Sequence, residues 1–385
     1  MNARRHIRTT AIAGALALGL AALSACSLTD GGDGREGGRL KVTASFYPMT
    51  FLAERIGGDA VTVSTLTKPG VEPHDLDLTP RQTAELGESG YILYLKGIQP
   101  AVDKAIEQSG VDHRTDAATL TKGLPKAGEE TQDHEPGDTH GHEESSGHEE
   151  SHDHGDGHGD GHDHGDEHGD TGHDDGHGHK DTGDKTEKTE QPEQDTGAGD
   201  DGHDGHGHDH AGGTDPHSWL DPVQYADMAE GVGRALAKAD PENAATYRKN
   251  ADTLVSELTK LDTAFRDGLR TTDTKTFITT HAAFGHLAGR YGLIQEGISG
   301  ISPEAEPSPA RIKELRTVAK EDGVTTVFFE TLASDRAAKT LASEAGLDTA
   351  VLDPLEGITD ASPGSDYLEV MKANLAALQK ALGAK

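Results

Sequence analysis

The chain has 385 residues, enough for two ordinary domains, and carries a formal net charge of −33. A charge of that sign disfavours nucleic acid as a partner, because a phosphate backbone attracts basic surfaces. The charge is concentrated, since residues 127–214 contain 28 acidic residues against three lysines. The acidity therefore describes one segment, and the rest of the chain has the charge balance of an ordinary soluble domain.

The first 25 residues have the organisation of a signal peptide. Three arginines within the first eight residues form a basic start, and residues 10–22 are an apolar run too short to span a bilayer, which takes ~20 residues. The run ends in Leu-Ser-Ala-Cys, which is similar to the bacterial lipobox. Its cysteine, Cys26, is the only one in the chain. We expect Cys26 to be lipidated, residues 26–39 to form a flexible tether, and the protein to be held at the membrane outside the cytoplasm.

Residues 40–126 alternate between strand-like and helix-like patterns. This alternation predicts an N-terminal α/β lobe with a parallel sheet. The predicted strands are Leu40–Ser45, Val61–Leu66 and Tyr91–Leu95, and the predicted helices are Tyr47–Ile56 and Pro80–Leu86, with Thr79 as the cap of the second.

Residues 127–213 contain none of the large apolar side chains that form a core. No Leu, Ile, Val, Met, Phe, Tyr or Trp occurs between Leu124 and Trp219, so we expect disorder in the absence of metal. Because 17 of the 23 histidines lie here, flanked by carboxylates, we interpret the segment as a low-affinity zinc trap, with a solvated spacer as the alternative. The histidines assigned to the trap are His152, His154, His162, His164, His177, His179, His206, His208 and His210.

Residues 214–239 are expected to complete the N-terminal lobe, after which the chain enters a long helix. Asp240 followed by a proline is typical of a helix start, with the aspartate as cap. Apolar residues then recur at spacings of three, four and seven. This stripe predicts a stiff linking helix over 240–270, about 45 Å long.

Residues 271–385 repeat the alternation of strands and helices and predict a C-terminal α/β lobe. The predicted fold is therefore two similar α/β lobes with mostly parallel sheets, joined by one long rigid helix. The predicted strands are Lys275–Thr280, Val324–Glu330 and Thr349–Leu352, and the predicted helices are Ala283–Tyr291, Pro309–Lys320, Ser334–Ala345 and Tyr367–Leu382.

Five histidines lie between the signal and the C-terminus but outside the acidic segment. His74 stands in Glu-Pro-His-Asp, His217 in Asp-Pro-His-Ser-Trp-Leu-Asp-Pro, and His281 directly after a predicted strand. Because ligand sites of open α/β sheets lie beyond the carboxyl ends of strands, these three are candidate metal ligands. We expect His113 to be solvated and His286 to be structural.

Together, these motifs and the long helix resemble the metal-specific solute-binding proteins of ABC importers, and the zinc-uptake, ZnuA-like branch fits best. The resemblance covers nearly all of residues 40–385. It implies a metal site in the cleft between the lobes, with His74, His217 and His281 as the first three ligands. It also implies a monomer without catalytic activity that captures zinc and delivers it to an ABC permease with its ATPase subunit.

In that family a carboxylate of the second lobe usually supplies the fourth ligand. By position the match is Glu356, with Asp353 on the same loop in reserve, Glu330 as a weaker candidate, and water as the ligand in some members. Asp75 and Asp221 are candidate carboxylates for orienting the imidazoles, although helix capping or a turn is the favoured role for Asp221.

Three imidazoles and one carboxylate suit Zn²⁺, whereas manganese prefers oxygen-rich sites. Copper would bind such a set at least as tightly, so the donors do not exclude it. Two other functions compete with uptake. One is a surface zinc buffer or adhesin, and the other is a zinc hydrolase, which the lack of a His-Glu-x-x-His motif disfavours.

Overall fold

The computed structural model describes residues 34–122 and 215–385, which form two largely parallel β-sheets covered by helices. The predicted α/β class with parallel sheets is confirmed. The signal peptide, Cys26 and the histidine-rich segment 127–213 lie outside the described residues. Within the two described ranges, no helix has both the length and the apolar character that crossing a bilayer requires.

The first sheet has the order β3-β2-β4-β5, and these four strands are parallel. Leu40 of β2 lies opposite Val61 of β3, and Val42 opposite Tyr91 of β4. A short fifth strand, β1, pairs antiparallel with the start of β2. The strands are β1 (Arg35–Glu36), β2 (Arg39–Ala44), β3 (Val61–Thr65), β4 (Tyr91–Tyr94) and β5 (Arg114–Asp116).

Residues 34–39, which the composition assigned to the tether, belong to this sheet. The amide of Lys41 donates to the carbonyl of Gly34 at 2.9 Å, and Arg35 Nη2 lies 2.6 Å from the buried Asp240 Oδ1. The prediction was wrong here because backbone pairing and a long-range ion pair order a stretch whose own composition favours flexibility.

Four helices accompany the first sheet. Thr79 and Gln82 form the reciprocal hydrogen bonds of a capping box at the start of α2, so the predicted cap is confirmed. The helices α3 and α4 were not predicted. The four are α1 (Tyr47–Gly57), α2 (Pro80–Gly87), α3 (Pro100–Gln108) and α4 (Pro222–Ala239).

The long helix, α5 (Ala244–Leu269), has 26 residues and therefore spans about 39 Å. It begins later than predicted, because a 3₁₀ turn occupies Pro241–Asn243. Asp240 does not cap this turn through its side chain. Its carboxylate instead accepts hydrogen bonds from Asn243 Nδ2 at 2.8 Å and Tyr247 Oη at 2.6 Å.

The second sheet has the order β7-β6-β8-β9, with all neighbouring strands parallel. The edge strand β7 was not predicted, since Ile294 is its only apolar side chain and is half-exposed. The strands are β6 (Thr276–Thr279), β7 (Ile294–Gly297), β8 (Thr326–Phe329) and β9 (Asp348–Val351), and the helices are α6 (Gly285–Tyr291), α7 (Pro309–Glu321), α8 (Arg336–Ala345) and α9 (Tyr367–Leu382).

The largest apolar core extends from one sheet to the other. It contains the buried stripe of α5, which packs against α1 and α4 beside the first sheet and against α9 beside the second. Phe46, Trp219 and Phe284 belong to the same cluster. This shared core positions the loops that follow β3, β6 and β9, where the polar residues of interest lie.

Candidate metal site

Four side chains from distant parts of the sequence meet where the parallel strands end. His74 lies in the loop between β3 and α2, and His281 is the second residue after β6. Glu356 lies in the loop that follows β9, and His217 precedes a 3₁₀ turn that leads into α4. The carboxyl ends of parallel strands thus supply three of the four residues, as the general rule for open α/β sheets predicts.

The donor atoms converge on a small volume. Glu356 Oε1 lies 3.2 Å from His74 Nε2, 3.4 Å from His217 Nε2 and 3.3 Å from His281 Nε2. The Nε2 atoms of His74 and His217 are 3.3 Å apart, and each residue offers a ligand atom within 4.8 Å of all the others. The side chains of His217, His281 and Glu356 are at most 1% exposed and that of His74 is 9% exposed. This is the chemistry of a buried cation site.

Carboxylates hold the outer nitrogens of two of these rings. Asp215 Oδ1 lies 2.7 Å from His217 Nδ1, and Glu330 Oε1 lies 2.7 Å from His281 Nδ1. An ionised carboxylate only accepts hydrogen bonds, so each ring donates its Nδ1 proton and directs Nε2 into the cluster. Asp215 was not among the predicted site residues, although it stands two residues before His217, and Glu330 was predicted only as a weaker candidate ligand.

Glu330 is itself fixed in place. The hydroxyl of Thr280 and the backbone amide of His281 both donate to Glu330 Oε1, the atom that also contacts the imidazole. The side chain of Glu330 is 2% exposed. The end of β6 therefore supplies both the histidine and the donors that orient the carboxylate behind it.

Asp353 builds the loop that carries Glu356 and lies outside the cluster. Its carboxylate accepts hydrogen bonds from the Leu355 amide at 2.8 Å and the Thr331 hydroxyl at 2.9 Å. Leu355 has a φ of 60°, the only positive value at a non-glycine residue in the described ranges. Residues other than glycine adopt such a backbone at a cost of ~1–3 kcal/mol, and the hydrogen bond that the Leu355 amide donates to Asp353 stabilises this one. Of the two carboxylates considered in this loop, the structure brings Glu356 to the histidines.

Trp219 connects the segment of His217 to the loop of Glu356. Its Nε1 donates to the carbonyl of Pro354 at 2.8 Å, and its own carbonyl accepts from Tyr367 Oη at 2.7 Å. The Trp219 side chain is fully buried, and the centre of its indole ring lies 5.1 Å from that of the His217 ring. This buried side chain thus fixes the spacing of two segments of the site.

His74 is held differently from the other two histidines. Its backbone amide donates to Glu72 Oε1 at 2.8 Å, and no carboxylate among the described residues contacts its Nδ1. Glu72 Oε2 is buried and makes no hydrogen bond within the described part of the chain. Burial and the nearby charge of Glu356 raise the pKa of Glu72 to about 8.

The other predicted residues lie elsewhere. Asp75 is exposed and does not contact an imidazole among the described residues, and His113 is exposed as expected. Asp221 caps α4 by accepting from Val223 N at 3.0 Å and forms an ion pair with Arg290 at 2.7 Å. The capping role favoured for Asp221 is therefore confirmed. The prediction that Asp75 orients an imidazole was wrong, because Asp215 and Glu330 are the carboxylates that lie behind the rings.

The cluster favours bound protons when no metal neutralises it. Burial alone would lower the pKa of His281, but the charge and hydrogen bond of Glu330, aided by Glu356, raise that pKa to about 10. Burial would likewise raise the pKa of Glu356, and the three imidazoles hold it well below its ordinary value. A metal ion that binds here must therefore displace protons from the imidazoles.

Comparison with known proteins agrees with this geometry. The model of a family described as zinc-uptake complex component A, periplasmic, matches residues 42–381. The chain belongs to that family. The resemblance inferred from the histidine motifs is thereby confirmed, and the family acts in zinc uptake.

Individual relatives support the same assignment. Zinc-binding protein AdcA of Streptococcus pyogenes serotype M3 is 32% identical over 348 residues, which cover 89% of this chain and 56% of AdcA. High-affinity zinc uptake system protein ZnuA of Bacillus subtilis is 31% identical over 365 residues, or 94% of this chain and 93% of ZnuA. The chain thus spans only about half the length of the streptococcal relative.

A solved structure shares the fold. The crystal structure of the Zn(II)-bound ZnuA-like domain of Streptococcus pneumoniae AdcA superimposes with a TM-score of 0.60 at 26% identity. The match covers 90% of this chain and 99% of that domain.

Proposed function

We propose that this protein captures zinc with His74, His217, His281 and Glu356 and delivers it to a membrane importer. The observation that carries the proposal is the convergence of three Nε2 atoms and one carboxylate oxygen at a single buried point. The family match and the names of the relatives point to the same metal.

The distances between the donor atoms suit tetrahedral zinc. Zinc binds imidazole nitrogen and carboxylate oxygen at ~2.0–2.1 Å, and a tetrahedron with such bonds places its corners about 3.3–3.4 Å apart. The four measured separations between Glu356 Oε1 and the imidazole nitrogens, and between His74 and His217, range from 3.2 to 3.4 Å. Four of the six separations within the donor set therefore already match a zinc tetrahedron.

The state of His281 supports the same conclusion. Its Nε2 atom is buried and makes no hydrogen bond in the described part of the chain, although Glu356 Oε1 lies only 3.3 Å away. The ion pair between His281 and Glu356 thus lacks the alignment of a hydrogen bond. A metal bond would give this nitrogen a well-aligned partner.

The identity and number of the donors favour zinc over manganese and favour transport over hydrolysis. Manganese sites are rich in oxygen and have about six ligands, whereas this cluster offers three nitrogens and one carboxylate. A catalytic zinc keeps one coordination position open for water, and Glu356 would occupy that position here. We therefore propose a binding protein without catalytic activity, whose partners are an ABC permease and its ATPase.

Two features of the sequence complete the proposal. The leader and Cys26 would anchor the protein by lipid on the outer side of the membrane. The histidines of residues 127–213 would collect zinc weakly near the tight site without being required for it.

Competitive zinc titration against a chelator of known affinity tests the proposal. We expect a protein lacking residues 127–213 to bind one zinc tightly and to prefer it to manganese. His217→Ala should abolish that binding, and His113→Ala, which changes an exposed histidine, should leave it unchanged. Equal zinc affinity in the His217→Ala protein would refute the site, and tight binding that disappears with residues 127–213 would assign the function to that segment.

A further inference from the structure

A chain of hydrogen bonds extends from the cluster through the start of α6 to the start of α4. The backbone carbonyl of Asp215 accepts from His286 Nε2 at 2.9 Å, and the Asp215 carboxylate contacts His217 Nδ1 at 2.7 Å. On its other side, His286 Nδ1 lies 3.0 Å from Gln224 Nε2. Gln224 Nε2 also donates to Asp221 Oδ2 at 3.0 Å, and Arg290 pairs with the same carboxylate.

The hydrogen-bond partners of His286 determine which of its ring nitrogens carries a proton. A carbonyl only accepts, so His286 Nε2 must donate to Asp215. The amide nitrogen of Gln224 only donates, so His286 Nδ1 must accept. His286 is therefore the neutral Nε2–H tautomer, and a donor and an acceptor match at each step as far as His217.

Space for this arrangement depends on a glycine. A Cβ atom at Gly285 would lie 2.7 Å from Asp215 Oδ2, well inside van der Waals contact. Any larger residue at this position would force the carboxylate away from its place beside His217. Gly285 and His286 are consecutive, so the start of α6 accommodates the Asp215 side chain and binds its backbone.

We propose that His286 is a positioning residue for the zinc site, acting through Asp215 on His217. By holding the Asp215 carbonyl it keeps the carboxylate beside His217 Nδ1, and that contact directs His217 Nε2 toward the metal. The same segment carries His281 four residues before Gly285, so one connection between β6 and α6 supplies one ligand and positions another. This role rests on the proposed zinc binding.

The test uses the full chain and competition for zinc between the protein and a chelator. His286→Phe keeps an aromatic ring, somewhat larger than imidazole, but removes the donor, and we expect it to weaken the tight site about tenfold, the lower end of effects from partners beyond the ligands. His286→Gln restores a donor at the equivalent of Nε2 and should recover most of the affinity. Gly285→Ala should weaken binding by displacing the Asp215 carboxylate.

Two comparisons separate failure of this inference from failure of the proposed function. If the unaltered chain lacks a tight site that His217→Ala removes, the function itself is wrong. If that site is present and His286→Phe binds zinc as tightly as the unaltered chain, only the role of His286 is overturned. The role of His286 would also be overturned if the Phe and Gln variants weakened zinc binding equally and the melting temperatures of both metal-free proteins fell by the same amount.

Discussion

The histidines of the cluster fall into two groups that differ in how the fold holds them. His217 and His281 are completely buried, and a carboxylate 2.7 Å from Nδ1 orients each ring. His74 is the most exposed of the three, and its backbone amide donates to Glu72 within the same loop. The core therefore preorganises two of the proposed ligands, whereas a loop positions the third.

Preorganisation lowers the free-energy cost of aligning the ligands when a metal binds. His217 and His281 are buried and each is held by a carboxylate, whereas the side chain of His74 is 9% exposed and no carboxylate among the described residues holds its Nδ1. We therefore expect zinc to enter past His74 and to be held most firmly by the buried pair.

The largest expected effect is the loss of a ligand from the buried pair. His217→Ala should weaken zinc binding by more than the ~10–100-fold typical of changes beyond the ligands, since water replaces a buried imidazole poorly. His74→Ala should cost less, because solvent can reach that position. Chelator competition measures both affinities, and a greater loss with His74→Ala would contradict the division into two groups.

Removal of the orienting carboxylates should have the next largest effect. Asp215→Asn and Glu330→Gln keep the size of each side chain but no longer require the imidazole to donate from Nδ1. We expect each to weaken zinc binding roughly 10–100-fold. Isothermal titration measures this change, with Asp75→Asn as the control because Asp75 is exposed. Unchanged affinity in both variants would show that the carboxylates do not orient the rings.

The stability of the metal-free protein should depend on pH through His281. Its pKa of about 10 in the folded protein lies above the ordinary value of 6.5, so the folded state binds this proton more tightly than the unfolded state does. The resulting stabilisation is complete below pH ~6.5 and is lost as the pH rises towards 10.

Thermal unfolding between pH 6.5 and 10 measures this dependence. The melting temperature of the metal-free protein should fall across that range, and Glu330→Gln should reduce the fall because Glu330 is the main cause of the raised pKa. The zinc-bound protein should not share this contribution, since its His281 has already released the proton. A metal-free protein with a flat profile would contradict the ion pair.

The smallest effect on zinc is expected far from the cluster. Asp240→Asn weakens the contacts of a buried carboxylate with Arg35, Asn243 and Tyr247. We expect a loss of about 1–3 kcal/mol in the free energy of unfolding and no change in zinc affinity. Urea denaturation measures the first and chelator competition the second. If zinc affinity fell as well, the geometry of the cluster would depend on the distant contacts of Asp240.

Much of the fold was predictable because its periodic signals are strong. The apolar stripe of α5 buries one face of that helix, whereas the short apolar runs of β4 and β8 are buried on both faces, and the structure has elements at those places. The helix α3 was missed although Val102 and Ile106, four residues apart, form its buried face. Nine residues give too short a pattern to distinguish from a loop.

The candidate site was predictable only in part. His281 follows a strand directly, so its place at the sheet edge could be inferred, whereas the choice of Glu356 came from family resemblance. The roles of Asp215, Glu330 and Asp221 depend on which ring or guanidinium lies opposite each carboxylate in space. The sequence neighbours of these residues do not contain that information.

Glu356 and His74 are 282 residues apart in the sequence, yet their side chains touch. A peptide cut from any one part of the chain would contain too few of the four donors to reproduce the site. Zinc bound there would act as a cross-link that closes most of the polypeptide into one loop. Because the four side chains meet only in the folded protein, tight zinc binding would require complete folding. Local unfolding of either sheet, or proteolysis that separates the two, would release the ion.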